Sequence, residues 1–533
     1  MPVYLLLAAA VMIACVLLNR LSSKLGIPML LAFILLGMFF GTDGIVKIPF
    51  ENYTFAEQAC SVALIFIMFY GGFGTNWKKA RPVAVKAGLL STAGVVLTAV
   101  LTGMFCHYVL RIAWMESLLL GSVIGSTDAA SVFSILRAKR LNLKDNTASL
   151  LEVESGSNDP CAYMLTMVVI SAMQGAASGG GLAWMVFAQL VFGAGGGVVI
   201  ALLALAVMKR IKTVTAGFDT VLVVAIAVLA YAAPVLAGGN GYLSVYIVGI
   251  VLGNAKLENK KQLVHFFDGL TGLMQMLLFF LLGLLSFPSR LPAIVLPALA
   301  IALFLTFAAR PIAVFLLLSP LKSSFRQQLV VSWAGLRGAA SIVFAITAQI
   351  AVKTENDIFH IVFFIVLFSI LIQGALLPLV SKKAGMLDED GDVMKTFTDY
   401  SEEIPVQFIQ CTIAKGHPWC GEKLKDVLLP PDSIAALLQR QDKKIVPVGG
   451  TVLAEGDKLI LCAESPVGVE GVCLFERPIL KDDDWLGKTL AEIQGPDTQL
   501  VVMIQRAGRV IIPRGNARIK ENDILVINRF ETT

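Results

Sequence analysis

Apolar residues dominate positions 3 to 381 in stretches of about 20, separated by short charged or Gly/Pro-rich breaks; from 382 onward the pattern is that of ordinary mixed sequence. Cutting at the breaks predicts helical spans near 3–19, 28–42, 59–75, 84–110, 116–136, 147–173, 182–208, 218–236, 242–254, 264–286, 292–318, 327–352 and 358–380, about 13 in all. The second and ninth are short for a full crossing, and short or Gly-interrupted segments often belong to discontinuous helices. Two Gly-broken spans lie at corresponding places, the fifth with Gly125-Ser126-Thr127-Asp128 and the twelfth with Gly335-Leu336-Arg337-Gly338. With the seventh span as a connector, spans 1 to 6 and 8 to 13 start from opposite sides and can be inverted repeats. From about residue 402 short β-type runs take over, with an internal repeat at an offset of 66 residues. Trp419-Cys420-Gly421-Glu422-Lys423-Leu424 matches Trp485-Leu486-Gly487-Lys488-Thr489-Leu490, Gln439-Arg440 matches Gln505-Arg506, and Ile445-Val446-Pro447 matches Ile511-Ile512-Pro513. The expected order is a membrane domain over 1–385, a charged linker over 386–402, and two copies of a small α+β module over 403–466 and 467–533.

Composition narrows the class. With 533 residues, 56% apolar and 15% charged, the chain is no secreted enzyme, fibre or disordered polypeptide. Its net charge of +5 forms no stripe that a nucleic acid could follow, because the basic residues sit in alternate loops. One set of loops holds twenty Lys and Arg, the other only Lys47, Arg111, Arg290 and Lys353. The positive-inside rule then puts the N-terminal end outside and the C-terminal modules in the cytoplasm. Eight cysteines without a CxxC pair call for neither a disulfide framework nor zinc. The apolar N-terminus lacks a basic leader and reads as a retained first span.

Ionisable groups at membrane depth are expensive, so each is a candidate for function. The sixth span carries Glu154-Ser155-Gly156-Ser157-Asn158-Asp159-Pro160, in which Ser155 and Asp159, and Glu154 and Asn158, share ridges at helical spacing. Pro160 cannot donate to the Gly156 carbonyl, which frees an oxygen beside Asp159. A carboxylate, a hydroxyl and free carbonyls are the hard oxygen ligands that a dehydrated Na⁺ or K⁺ accepts, and Ser126, Thr127 and Asp128 in the fifth span add more. Arg337 needs a carboxylate, and Glu154 is the partner expected; Arg310, before Pro311, is expected to snorkel towards an interface. Asp159 is then left to titrate, and a proton and a cation competing for its oxygens amount to antiport.

Glu-Ser-Gly-Ser-Asn-Asp, Gly-Ser-Thr-Asp-Ala-Ala and Gly-Leu-Arg-Gly-Ala together resemble the motifs of the monovalent cation/proton antiporter-1 family, in particular its NhaP-type bacterial branch, over about residues 1–385. The resemblance implies a polytopic α-helical membrane protein with crossed broken helices, the NhaA/NhaP-like antiporter fold, working as a homodimer in the bacterial cell membrane by elevator-like alternating access. It implies Asp159 as the shared cation and proton site, Asn158 as its neighbour, Ser155 and Thr127 as ligands of the monovalent cation, Asp128 near the site, and a structural pair of Glu154 with Arg337. Its Asn-Asp pair goes with electroneutral exchange. Where some relatives have an acid in the third span, this chain has Phe69-Tyr70-Gly71-Gly72-Phe73. The C-terminal copies resemble the TrkA-C half of potassium-conductance regulator (RCK) domains, without the nucleotide-binding half. That tilts the cation towards K⁺, with Na⁺ as the alternative, and implies a cytosolic ligand such as cyclic di-AMP; no resident cofactor is expected. A gated K⁺ channel and an intramembrane aspartyl protease fit worse, since Gly71-Gly72-Phe73-Gly74 lacks a preceding Thr-Val and neither Asp128 nor Asp159 has a Gly-x-Gly-Asp context.

Overall fold

A computed structural model of the chain describes residues 2–25, 29–138, 141–175, 179–210, 217–257, 260–387, 406–413, 417–429, 433–440, 443–464, 473–479, 483–493, 499–506, 509–511, 517–521 and 523–529. It divides into two compact units, Met1–Ser401 and Glu402–Thr533. Apart from Met386 and Leu387, the expected linker lies outside the described residues.

The first unit is helical: α1 Pro2–Leu25, α2 Met29–Phe40, α3 Tyr53–Gly74, α4 Arg81–Tyr108, α5 Trp114–Val123, α6 Ala129–Ala138, α7 Thr147–Met173, α8 Gly179–Arg210, α9 Phe218–Leu236, α10 Gly241–Asn254, α11 Lys260–Leu285, α12 Pro292–Leu318, α13 Phe325–Trp333, α14 Ala339–Ala351 and α15 Ile358–Lys383. Among the described residues, seven of these are long and apolar enough to cross a membrane, so the unit is a polytopic helical membrane domain. The short α2 and α10 are continuous; the interruptions fall in the fifth and twelfth apolar segments, which form the half-helix pairs α5/α6 and α13/α14. Polar residues at helix starts accept the otherwise orphaned N–H groups: Asn52 from Phe55, Asn240 from Leu243, Ser324 from Gln327 and Asp357 from His360.

Small residues set how closely the helices pack. A Cβ on Gly72, Gly249 or Gly253 would fall within 2.3 Å of a backbone oxygen across the α3–α10 contact, and one on Gly37 or Gly283 would do the same across α2–α11. Under the exchange of halves expected from the sequence, the third segment is paired with the tenth and the second with the ninth, which would relate these two contacts. The same correspondence relates the π-helical turn Leu90–Gly94 in α4 to Leu305–Ala309 in α12.

The second unit contains two antiparallel four-stranded sheets. Strands β1 Val406–Thr412, β2 Ser433–Arg440, β3 Lys443–Ile445 and β4 Lys458–Glu464 are ordered β1-β4-β2-β3; β5 Cys473–Pro478, β6 Gln499–Arg506, β7 Arg509–Ile511 and β8 Ile524–Arg529 are ordered β5-β8-β6-β7. The 66-residue offset persists in three dimensions. A register shift between Ala435 and Leu437 recurs between Val501 and Met503, and the bridge Lys423–Val452 recurs as Thr489–Arg518. In each copy an arginine grips a fully buried aspartate: Arg440 Nε and Nη2 donate to Asp457 at 2.8 and 2.6 Å, and Arg506 Nε and Nη2 to Asp523 at 2.7 Å each.

Candidate cation site at two crossing helix breaks

The stretches between α5 and α6 and between α13 and α14 are hydrogen-bonded to each other. The Asp128 N–H donates to the Leu336 carbonyl at 2.8 Å, and Arg337 Nη1 donates to the carbonyls of Ile124 and Ser126 at 2.5 and 2.8 Å. The charges are placed as the helix dipoles require. Arg337 satisfies carbonyls left open at the C-terminal end of α5, while Asp128 sits at the N-terminal end of α6, accepting from Ser131 N at 3.3 Å and Ser131 Oγ at 2.5 Å. The Gly-Leu-Arg-Gly motif is required by close approach. A Cβ on Gly338 would meet Asp128 Cβ at 2.4 Å, and one on Gly335 would meet Arg310 Nε at 2.9 Å.

From α7, Asp159 accepts from Ser126 Oγ, Asn158 Nδ2 donates to Thr127 Oγ1, and Ser155 Oγ donates to the Thr127 carbonyl at 2.7 Å. A cavity of about 50 Å³ opens beside this junction, lined on one side by Ser126, Thr127, Asp128, Asp159, Gly338, Ala339 and Ala340. That is room for an ion with a few waters, since a single water needs about 10–15 Å³. Of the five residues predicted around the cation, Thr127, Asp128 and Asp159 line the cavity; Ser155 and Asn158 stand behind it and hold the unwound Thr127 in place.

The predicted pairing of Glu154 with Arg337 is corrected by the structure. Glu154 Oε1 lies 2.5 Å from Arg310 Nη2, with the two side chains 1% and 4% exposed, and Arg337 is taken up by backbone carbonyls instead. Arg310 therefore does not snorkel: it starts the helical turn after the π-bulge of α12, which carries it inward. The contact is a charge pair alone, as neither Glu154 oxygen makes a hydrogen bond among the described residues. Ser126, expected only as one more oxygen ligand, donates its hydroxyl to Asp159, and sequence reasoning passed over Asn240 as donor to the Pro160 carbonyl at 2.8 Å. A signal for Arg310 was present, a lone cation inside an apolar run; its partner was not.

Residues 8–383 match the family model for the transmembrane sodium/hydrogen exchanger. The chain belongs to the sodium/hydrogen exchanger family. Two further stretches of this exchanger, 408–467 and 474–527, match the TrkA-C domain. It is 36% identical over 419 residues to the K(+)/H(+) antiporter NhaP of Alkalimonas amylolytica, covering 77% of this chain and 72% of the relative. To the K(+)/H(+) antiporter NhaP2 of Shewanella baltica it is 34% identical, over 86% of this chain and 80% of the relative. Among solved structures it resembles the sodium proton antiporter MjNhaP1 of Methanocaldococcus jannaschii, with a TM-score of 0.61 and 25% identity over 72% of this chain and 99% of that one. The membrane unit thus has the fold of cation/proton antiporters, a family of transporters and not of enzymes.

Proposed function

We propose that the chain exchanges K⁺ for H⁺ across the cell membrane, one for one, at Asp159. The observation that carries this reading is the charge inventory at the crossing. Two guanidiniums, Arg310 and Arg337, are spent on Glu154 and on the carbonyls of Ile124 and Ser126, and Asp159 faces the cavity with a hydroxyl as its hydrogen-bond partner. Three carboxylates, Asp128, Glu154 and Asp159, against two guanidiniums leave one negative charge. A proton or a monovalent cation neutralises it, and a buried site that must be neutral admits one or the other but not both. Exchange on these terms moves no net charge. Thr127 and Asp128 supply further oxygens, and Ser155 and Asn158 position them.

Alternating access in this reading is elevator-like: the crossed breaks move with α7 against a wall formed by α2, α3 and α11. About 13 spans follow from the apolar runs, and an external N-terminal end with cytoplasmic TrkA-C modules follows from the loop charges. A homodimer would bring four modules together, and a ligand such as cyclic di-AMP would act through its difference in affinity between transport states; calorimetry on the full chain tests that binding. K⁺ is favoured by the names of the two bacterial relatives; Na⁺ is the second reading, favoured by the archaeal one. The test is dequenching of a pH dye in everted vesicles with K⁺, Na⁺, Li⁺ and Rb⁺ added separately. Asp159→Asn should abolish the cation response while the protein remains monodisperse; undiminished exchange would move the site, with Asp128 the next candidate. An imposed membrane potential that drove transport would exclude one-for-one exchange.

A further inference from the structure

The two sides of the cavity differ in chemistry. Every oxygen named so far comes from the crossing breaks and α7, whereas the opposite wall is Leu30, Leu64, Ile67 and Phe279 with one polar exception among the described residues, Gln275. This residue belongs to a ridge of α11 at i, i+4 spacing, Phe267, Thr271, Gln275 and Phe279, whose other members are all buried. Gln275 itself is half-buried and lines the cavity. Its amide oxygen is therefore open to whatever occupies the cavity, on a wall that otherwise offers hydrocarbon, and a polar group or ion there can take the place of water.

We infer that the Gln275 amide oxygen is a cation ligand, completing the shell of a dehydrated K⁺ from the side opposite Asp159; this rests on the reading of Asp159 as the exchange site. A cation that sheds water needs oxygens around it, and with Gln275 replaced by hydrocarbon half of its surroundings would offer none. An amide carbonyl accepts without carrying charge, so it leaves the neutral balance of the site unchanged. The proton-loaded state gains nothing from it, because a protonated Asp159 needs no ligand across the cavity. Gln275 therefore favours the cation over the proton in their competition, and it ties the moving wall to α11 only when the cation is bound.

The experiment measures exchange in proteoliposomes of the full-length protein with K⁺, Rb⁺, Na⁺ and Li⁺, for Gln275→Met, Gln275→Leu and Gln275→Glu beside Asp159→Asn. Methionine keeps the length and loses the oxygen, while glutamate keeps an oxygen. Loss of one oxygen ligand to a charge is worth about tenfold or more. Gln275→Met and Gln275→Leu should thus raise the apparent KM for K⁺ by about that factor, with the maximal rate within about twofold, and change the order of preference among the four cations. Gln275→Glu keeps the oxygen but adds a carboxylate that a neutral site holds protonated, so its KM should return towards the parent value at low pH and depart from it as pH rises. If Asp159→Asn is inactive and either oxygen-free variant keeps its KM and cation order, the role of Gln275 is excluded while the Asp159 reading stands. A fall in maximal rate alone, with KM unchanged, would mark Gln275 as structural and overturn the inference. Active Asp159→Asn would instead remove the reading on which it rests.

Discussion

Glu154→Gln should be among the most damaging single changes in the membrane unit, and its damage should be repaired through Arg310. At 2.5 Å the two charges attract by roughly 6 to 7 kcal/mol at an effective dielectric constant near 20. Most of this is offset by the desolvation of groups that are 1% and 4% exposed. Removing the carboxylate leaves the desolvation of Arg310 uncompensated, and with Gly335 packed against its side chain the guanidinium has little freedom to move to water. The expected loss is about 3–5 kcal/mol. Arg310→Gln should lose a similar amount, and the double variant Glu154→Gln/Arg310→Gln should recover about 2 kcal/mol or more of the summed losses. Glu154→Gln/Arg337→Gln is the control. Arg337 lies within electrostatic reach of Glu154 but hydrogen-bonds carbonyls, so those two losses should nearly add. Equilibrium unfolding by SDS titration in mixed micelles, for the parent, the three single variants and the two doubles, provides both cycles. Additivity in the Arg310 cycle together with strong coupling in the Arg337 cycle would refute the pairing.

Gly338→Ala should reduce exchange at least about tenfold, because the new Cβ would lie 2.4 Å from Asp128 Cβ and must displace the carboxylate or the break. Gly71→Ala, whose Cβ would meet nothing within 4 Å, is the matched control and should be neutral; equal activity of both variants would mean that Asp128 need not stay where it is. In the C-terminal modules, hydrogen bonds from Arg440 hold Asp457 below the usual carboxylate range against the opposing effect of burial. Burial pushes Asp523 up, and Arg506 with the Lys520 N–H outweighs it, so its net shift is also downward. Folded values below the unfolded one mean that this stabilisation is complete above about pH 4 and is lost as pH falls through the folded values. Hydrogen exchange of β4 and β8 in the full chain should accelerate below that range, and Asp457→Asn should bring the loss in the first module to neutral pH; protection indifferent to both would exclude the pairs as stabilising.

Much of this architecture is local and so is written in the chain. Apolar length decides where helices form in a medium that cannot solvate backbone, and a 66-residue repeat of turn and strand residues dictates two like sheets because each module closes on its own core. The breaks at Gly125 and Gly335 were legible for the same reason, and Asp159, an acid one residue from proline in an apolar span, lies beside them. Partnership across helices was not legible. Arg310 and Arg337 are both buried cations near glycines, and spacing along one helix carries no information about which of them another helix will meet. The fold satisfied backbone first: the carbonyls of Ile124 and Ser126 where α5 ends are fixed acceptors that take Arg337 as their donor among the described residues, and the π-bulge of α12 turned Arg310 onto Glu154. Gln275 has the same history, an unremarkable amide in the sequence of α11 that becomes informative only when packing sets it across a cavity from a carboxylate more than a hundred residues away.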